Sequence, residues 1–177
     1  MAKITIFGLA GTGKGTVAKL LSEALGYENM STGNMFRAMG EELGMNINQF
    51  DALANSDEKY DLILDQKVVE YGKTHDNFIF ESRLAWHFIP DSFKIKFDCD
   101  FETRTKRITE RENKTHEQVK EETIEREQLI FERYKKYYNL TDISNNKNFD
   151  FIVDTKVNNA QQVADIILTE LKNRNLI

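Results

Sequence analysis

A glycine-rich loop near the start of the chain carries the residues best suited to chemistry. The loop consists of Gly8, Leu9, Ala10, Gly11, Thr12, Gly13, Lys14, Gly15 and Thr16. The β-branched run Lys3–Phe7 precedes it and apolar residues at helical spacing follow it, so it is predicted to join a buried strand to a helix. Glycines let the backbone curl around an anion, and a helix N-terminus adds unpaired N–H groups and a positive dipole. The pattern therefore predicts a phosphate site in which Lys14 reaches the outer phosphates and Thr16 contacts Mg²⁺.

The alternative interpretation of this loop is a glycine-rich turn that only packs tightly. The strict phosphate-loop pattern has Ser or Thr directly after the lysine, whereas Gly15 stands between Lys14 and Thr16 in this chain. Four glycines within eight residues, combined with a lysine and a threonine at this spacing, favour the phosphate site over the packing turn.

Composition indicates a single domain, 1–177, that is long enough to bury a core. No apolar run approaches the length of a membrane span, and a strand rather than a signal peptide begins the chain, so we expect a cytoplasmic protein without membrane partners. The net charge of −5 disfavours general nucleic-acid binding. The one cysteine, Cys99, excludes an internal disulfide and a cysteine metal cluster.

Strands and helices alternate along the chain. Further strands are predicted at Tyr27–Met30, Phe78–Phe80, Phe93–Phe97 and Phe149–Val153. Helices are predicted after the loop, from Ser31 or Thr32, over Asn46–Asn55, over Asp57–Gly72 with Gly72 as the stop, around Arg104 to Arg111, over Glu117–Tyr138 and over Asn158–Lys172. This alternation predicts an α/β fold, a five-stranded parallel sheet with helices on both faces. Ligands of such sheets bind beyond the carboxyl ends of the strands, which here carry Gly8, Ser31, Glu81, Asp98 and Asp154.

Two of the predicted helices carry arginines that share a face. The residues are Arg104, Arg107 and Arg111 on one helix and Arg126 and Arg133 on the next. Each one taken alone is more often a surface residue balanced by a nearby carboxylate than a site residue, as Glu122 and Glu127 would balance Arg126. Beside a phosphate loop we interpret them as donors to a transferring phosphoryl group, because its charge is spread over several oxygens that arginine binds well.

Two short motifs resemble those of nucleoside monophosphate kinases. Ser31-Thr32-Gly33-Asn34-Met35-Phe36-Arg37 resembles the STGDMLR segment of adenylate kinases, and Glu81-Ser82-Arg83 resembles the acid–Gly–Arg element of adenylate and cytidylate kinases. With the loop and the arginine-bearing insert, the whole chain is most similar to short, archaeal-type cytidylate kinases. Two positions depart from that pattern: Ser82 replaces the usual glycine, and Thr32 is more typical of adenylate kinases.

The resemblance implies a P-loop kinase with a small helical acceptor-binding segment at about 32–73 and a lid segment at about 104–133. It implies transfer of the γ-phosphoryl group of ATP, with Mg²⁺, to a nucleoside monophosphate, CMP or dCMP. We expect a monomer whose partners are these small-molecule nucleotides.

The resemblance also implies roles for individual residues. The loop residues and Arg107 would bind ATP, and Thr16 would bind the metal. The expected catalytic residues are Lys14, Arg37, Arg83, Arg111, Arg126 and Arg133. The expected substrate-binding residues are Ser31, Thr32, Arg37, Asp65, Glu81 and Arg83. Asp65 is the candidate for recognising cytosine, because a carboxylate accepts from the exocyclic amino group of cytosine and repels the corresponding oxygen of uracil.

Three alternatives remain at this point. The first is an adenylate kinase, which Thr32 favours. The second is a P-loop kinase for a hydroxyl acceptor with Glu81 as general base, although a neutral acceptor would leave Arg37 and Arg83 without a partner. The third is a nucleotide-dependent switch, which is disfavoured because Asn146–Phe149 lacks the aspartate of the guanine-binding NKxD motif.

Overall fold

The computed structural model describes residues 2–112 and 114–177, and it describes no side chain at positions 47, 48, 51 and 55. Its sheet has five parallel strands in the order β2-β3-β1-β4-β5. The strands are β1 (Lys3–Phe7), β2 (Glu28–Ser31), β3 (Phe78–Glu81), β4 (Phe93–Asp98) and β5 (Phe151–Asp154). The predicted parallel sheet is therefore confirmed.

The helices of the described residues alternate with these strands. They are α1 (Lys14–Leu25), α2 (Thr32–Glu42), α3 (Ile47–Ser56), α4 (Lys59–Thr74), α5 (Ala85–Phe88), α6 (Phe101–Glu112), α7 (His116–Tyr138) and α8 (Ala160–Asn173). Local sequence explains several of their ends. Ser31 caps α2 by accepting from the N–H of Asn34, and a capping box of Thr115 and Gln118 begins α7.

Alternate residues of the strands pack against different helices. On one face, Ile4 and Ile6 of β1 pack with the buried sides of α1 and α8. On the other face, Phe78 and Phe80 of β3 pack against α2 and α4. Helices therefore cover both faces of the sheet, as the continuous apolar character of its strands predicts.

A smaller apolar cluster fixes the position of the long helix α7. Phe7 at the end of β1 lies in one buried cluster with Leu84, Trp86 and Tyr134. Phe7 belongs to the strand that leads into the glycine-rich loop, and Tyr134 belongs to α7. This cluster therefore ties α7 to the strand that leads into the loop.

The structure differs from the sequence-based expectation at three places. Helix α4 continues through Gly72 to Thr74, because the missing side chain of Gly72 makes room for Ile89 and does not end the helix. The short helix α5 was not predicted. Strand β5 begins at Phe151 rather than Phe149, because a 3₁₀ turn at Asn146–Asn148 precedes it.

Every helix of the described residues is too short or too polar to cross a membrane.

The close packing at Gly72 leads to a prediction about stability. A Cβ at this position would lie 2.7 Å from Cγ1 of Ile89, which is 1% exposed. We expect Gly72→Ala to lower the free energy of unfolding by about 1–3 kcal/mol, because overpacking outweighs the better helix propensity of alanine.

Urea denaturation measures this change, and Gly33→Ala in α2 is the matched control. A Cβ at Gly33 would meet its nearest atom at 3.7 Å. The control should therefore keep its stability to within about 1 kcal/mol. Equal stability of the two variants would contradict the packing explanation for Gly72.

Candidate active site

The glycine-rich loop lies between β1 and α1 and is held by its own carbonyl groups. The carbonyl of Leu9 accepts from the backbone N–H of Thr12 at 3.4 Å, from the hydroxyl of Thr12 at 2.9 Å and from Nζ of Lys14 at 3.2 Å. Gly11 and Gly13 have φ angles of 83° and 88°, a region that glycine adopts without strain. The loop thus passes directly into the N-terminus of α1 with Lys14 folded back over it.

Lys14 occupies an electropositive site. Burial, and then the nearby Arg83, lowers the pKa of Lys14 to about 8, while Glu81 opposes this decrease. Burial also lowers the pKa of Arg83. Burial raises the pKa of Glu81, and Lys14 opposes that rise. Two cations and one carboxylate therefore lie near one another beyond the strand ends, an arrangement that suits a polyanionic ligand.

A cavity of about 200 Å³ opens beside the loop. We call it the loop cavity, and its lining residues are Thr12, Gly13, Thr16, Val17, Arg107, Thr155, Asn158, Asn159, Ala160 and Val163. Arg107 is held at its edge by a bond from Nη2 to the carbonyl of Thr155, 2.6 Å long. The predicted ATP residues Thr12, Gly13, Thr16 and Arg107 therefore share one cavity. Sequence reasoning missed the contributions of Asn158 and Asn159.

A second cavity, of about 270 Å³, is lined mainly by the predicted acceptor segment and by α7. We call it the arginine cavity, and its lining residues are Thr32, Gly33, Phe36, Asp61, Leu64, Asp65, Ser82, Arg83, Leu84, Arg126, Arg133 and Tyr134. It brings together the predicted site residues Thr32, Asp65, Arg83, Arg126 and Arg133. The apolar members, such as Phe36 and Tyr134, were not predicted as site residues because apolar residues at helical spacing also mark an ordinary core.

Arg83 and Arg126 connect the arginine cavity to the glycine-rich loop. Both residues also line a narrow cleft of about 70 Å³ that is bounded by Ala10 of the loop and by Arg111 and Glu127. These two cations therefore lie between the glycine-rich loop on one side and the arginine cavity on the other.

The carboxylates that would balance Arg126 are bound to other cations. Glu122 pairs with Lys114 at 2.6 Å, and Glu127 pairs with Arg104 at 2.7 Å. Among the described residues, Arg126 forms no ion pair. Neither glutamate therefore neutralises Arg126, as the interpretation of a balanced surface residue requires. Binding of an anionic ligand is the better explanation for the charge at this position.

Arg133 is bound to the carboxylates of α4. Its Nη2 donates to Oδ2 of Asp65 at 2.8 Å, and its Nη1 lies 3.3 Å from Oδ1 of Asp61. The hydroxyl of Tyr138 donates to the same Oδ2 of Asp65 at 2.6 Å. Burial raises the pKa of Asp65, and the bonds from Tyr138 and Arg133 counteract this rise. Asp65 is 7% exposed. Its position on the helix is also compatible with a solvent-facing side chain, but the structure buries it.

The C-terminal end of α7 makes further contacts with the start of α4. Nζ of Lys136 donates to Glu58 at 2.9 Å, and the hydroxyl of Tyr137 donates to the same carboxylate. Together with the pair of Arg133 and Asp65, these bonds attach α7 to the acceptor segment.

The remaining predicted residues lie closer to solvent. Arg37 is exposed and donates to the side chain of Asn34, so it lies near the arginine cavity without lining it. Arg111 lines the cleft, but its side chain is 68% exposed and pairs with Glu112. The hydroxyl of Ser31 caps α2.

Comparison with known proteins agrees with this geometry. The sequence profile of a family described as an AAA domain matches residues 4–130. A cytidylate kinase of Methanobrevibacter smithii is 39% identical over 96% of this chain and 98% of the relative. A cytidylate kinase of Methanosarcina barkeri is 37% identical over 93% of each chain.

Solved structures share the fold at lower identity. The shikimate kinase from Acinetobacter baumannii in complex with shikimate superimposes with a TM-score of 0.65 and 15% identity, over 100% of this chain and 96% of that chain. This likeness supports the fold alone, whereas the full-length matches to the archaeal enzymes are close enough to show the family. The chain belongs to the cytidylate kinase family, among the P-loop nucleoside monophosphate kinases.

Proposed function

We propose that this protein transfers the γ-phosphoryl group of ATP to CMP or dCMP, giving ADP and the nucleoside diphosphate. The observation that carries the proposal is the position of Arg83 and Arg126, which line both the cleft beside the loop and the arginine cavity. A phosphoryl group that moves between two phosphates needs cations that contact both sides of the transfer.

The donor would bind along the loop. Backbone N–H groups of residues 8–16 and the N-terminus of α1 would hold its phosphates, and Lys14 would follow the charge as it moves. Arg107 at the edge of the loop cavity would lie against the base of ATP. Arg111, which lines the cleft with its side chain in solvent, would close over the phosphates as part of the lid.

Thr16 and Glu81 fit the requirements of a Mg²⁺ ion. Thr16 is exposed on the first turn of α1. A Cβ at Gly15 would lie 3.2 Å from Oε1 of Glu81, so the glycine at this position leaves room for that carboxylate beside Thr16. Hydroxyl and carboxylate oxygens are ligands that Mg²⁺ prefers. When bound, the ion would neutralise part of the charge on the outer phosphates.

The acceptor would bind in the arginine cavity. Arg83 would hold the acceptor phosphate on the side that faces the loop, and Arg37 of α2 would close on the same phosphate. Ser31 and Thr32, at the start of α2, would lie beside the bound acceptor. The acceptor phosphate is already ionised near neutral pH. No general base is therefore required, and the chemistry depends on alignment and electrostatic stabilisation.

Asp65 would recognise the base. Its Oδ2 is occupied by Arg133 and Tyr138, which leaves Oδ1 as the oxygen that can accept from the amino group of cytosine. In this proposal Arg133 orients the carboxylate that binds the base. The sequence interpretation instead assigned Arg133 to the phosphoryl group that is transferred.

A panel of acceptors tests the proposal. With ATP and Mg²⁺, formation of ADP is measured with CMP, dCMP, UMP, AMP, thymidine and no acceptor. We expect the highest kcat/KM with CMP or dCMP and background turnover with thymidine. A preference for AMP would support the adenylate kinase alternative, turnover of thymidine alone would support a hydroxyl kinase, and equal turnover without acceptor would support a nucleotide-hydrolysing switch.

Lys14→Ala tests the donor site. We expect kcat/KM to fall about 100- to 1000-fold, because an electrostatic contact in the transition state is lost. Lys19→Ala is the control on the same helix, since the Lys19 side chain is 75% exposed. Normal melting with retained activity in Lys14→Ala would contradict the proposed mechanism.

Arg37→Ala and Arg83→Ala test the acceptor site. Each should raise the KM for CMP about 10- to 100-fold, because a charge-assisted contact to the acceptor phosphate is removed. The Kd for ATP, measured by calorimetry, should stay near the wild-type value in Arg37→Ala and should change less than the KM for CMP in Arg83→Ala, because Arg83 also lines the cleft beside the loop. A variant that weakens ATP binding alone would contradict the division between donor and acceptor sites.

Asp65→Asn tests recognition of the base. An asparagine can keep its oxygen on Arg133 and Tyr138 and direct its amide N–H₂ toward the oxygen of uracil. We expect the ratio of kcat/KM for CMP over UMP to fall by about tenfold or more. Asp61→Asn is the control, because Asp61 lines the same cavity and pairs with the same Arg133 but does not bond Tyr138. An unchanged ratio in Asp65→Asn would remove Asp65 from the base site.

A further inference from the structure

Arg104 is a buried cation that the proposed mechanism leaves without a role. It is 4% exposed and lies on α6, one turn before Arg107. Its Nη1 donates to the carbonyl of Ala10 at 2.9 Å and to Oε1 of Glu127 at 2.7 Å, and its Nη2 lies 3.4 Å from Oε2 of Glu127. One guanidinium therefore joins the glycine-rich loop, α6 and α7.

These contacts commit three of the five N–H donors of Arg104 to the protein, and its Nε is buried without a partner among the described residues. Both hydrogens of Nη1 are directed at protein oxygens, and Nη2 faces the second oxygen of the same carboxylate. Glu127 also neutralises the charge. A cation with these bonds acts on its neighbours, and the neighbour with a catalytic task is the loop.

The bond to Ala10 fixes the orientation of one peptide unit. The described residues contain no cis peptide bond, and in a trans peptide the C=O and N–H groups point in opposite directions. With the carbonyl of Ala10 held toward Arg104, the N–H of Gly11 points away from it. We infer that Arg104 is a positioning residue that turns the N–H of Gly11 toward the donor phosphates, and that Glu127 of α7 holds Arg104 in place.

The backbone of Arg104 restrains the same peptide from the other end. A Cβ at Gly11 would lie 2.4 Å from the carbonyl oxygen of Arg104, and Gly11 has a φ of 83°. The loop backbone is therefore packed directly on α6. Side chain and backbone of one residue hold Ala10 and Gly11 together, which leaves the intervening peptide little freedom to rotate.

The bonds to Arg104 explain why the carboxylate of Glu127 can lie beside a site for anions. An unpaired carboxylate would repel a phosphate. Because Glu127 contacts the guanidinium through both oxygens, the pair is neutral and directional, as bidentate arginine–carboxylate pairs are.

The inference rests on the proposed function, since it assigns the loop to the donor phosphates. Its test uses the amide signal of Gly11 in ¹⁵N-labelled protein during titration with ADP. In the wild type we expect a downfield shift of this signal on binding. In Arg104→Gln the shift of the Gly11 signal on ADP binding should fall by half or more. The Kd for ADP should rise about tenfold, because one well-oriented contact is lost.

Glu127→Gln keeps the cation and removes its counter-charge. It should reduce the Gly11 shift by a smaller factor, while the uncompensated charge of Arg104 attracts ADP and offsets part of the rise in Kd. The double variant should match Arg104→Gln, because the two residues act in series. Arg174→Gln is the control, since Arg174 directly follows α8, pairs with Glu170 at 2.6 Å and lines none of the three cavities described above, and it should leave both readouts unchanged.

The outcomes are distinct. If Arg104→Gln has a lower melting temperature but the wild-type Gly11 shift and Kd, the contact is only structural and the inference is overturned. If Arg104→Gln does not fold, wild-type values of both readouts in Glu127→Gln would overturn it equally. If the wild type itself fails to bind ADP, the proposed function is overturned and this inference with it.

Discussion

Repulsion among cations packed into one site is the constraint that the rest of the structure must satisfy. Burial and then Arg83, Arg104 and Arg126 lower the pKa of Lys14, and burial and then Arg126 and Arg104 lower that of Arg83. Desolvated like charges destabilise a folded chain unless counter-charges compensate them. In the described residues Arg104 has its own carboxylate, whereas Arg83 and Arg126 form no ion pair. A polyanion bound between these two arginines removes the repulsion that folding creates.

The parallel sheet makes this arrangement possible. The cations come from α1, from the residues after β3, and from α6 and α7, and the strands bring these segments together at one edge. Register places Ile6 of β1 beside Glu81 of β3, and the N–H of Ser82 donates to the carbonyl of Ile6 at 3.1 Å. The apolar side chains on both faces of β1 and β3 are almost fully buried. Apolar burial in the sheet thus offsets the unfavourable electrostatics at its edge.

The elements that carry the site were predictable because their signals are local. The loop from Gly8 to Thr16 contains its own glycines, lysine and helix start, and the strand ends follow from short apolar runs. The helix α5 is too short to show a helical repeat of apolar residues in the sequence. Gly72 was interpreted as the end of α4 because the sequence does not show that Ile89 packs against it. Local sequence cannot reveal such contacts between distant segments.

Side-chain pairing was the least predictable part of the site. Arg126 had two glutamates within a helical turn, yet Glu122 bonds Lys114 and Glu127 bonds Arg104. Arg133 was grouped with Arg126 by spacing, but it bonds Asp65, 68 residues earlier. Helical spacing identifies which residues share a face. Which partner each charge takes depends on the neighbouring helices, and these are set by the tertiary fold.

The long helix α7 contacts both halves of the site, and this has a thermodynamic consequence. Its middle is bonded through Glu127 and Arg104 to the glycine-rich loop, and its end is bonded to Glu58, which directly precedes α4, and to Asp65 of α4. A rigid helix anchored at two places cannot shift at one without transmitting strain to the other. We therefore expect a ligand in either cavity to change the affinity of the other cavity for its own ligand, and such an effect must be reciprocal.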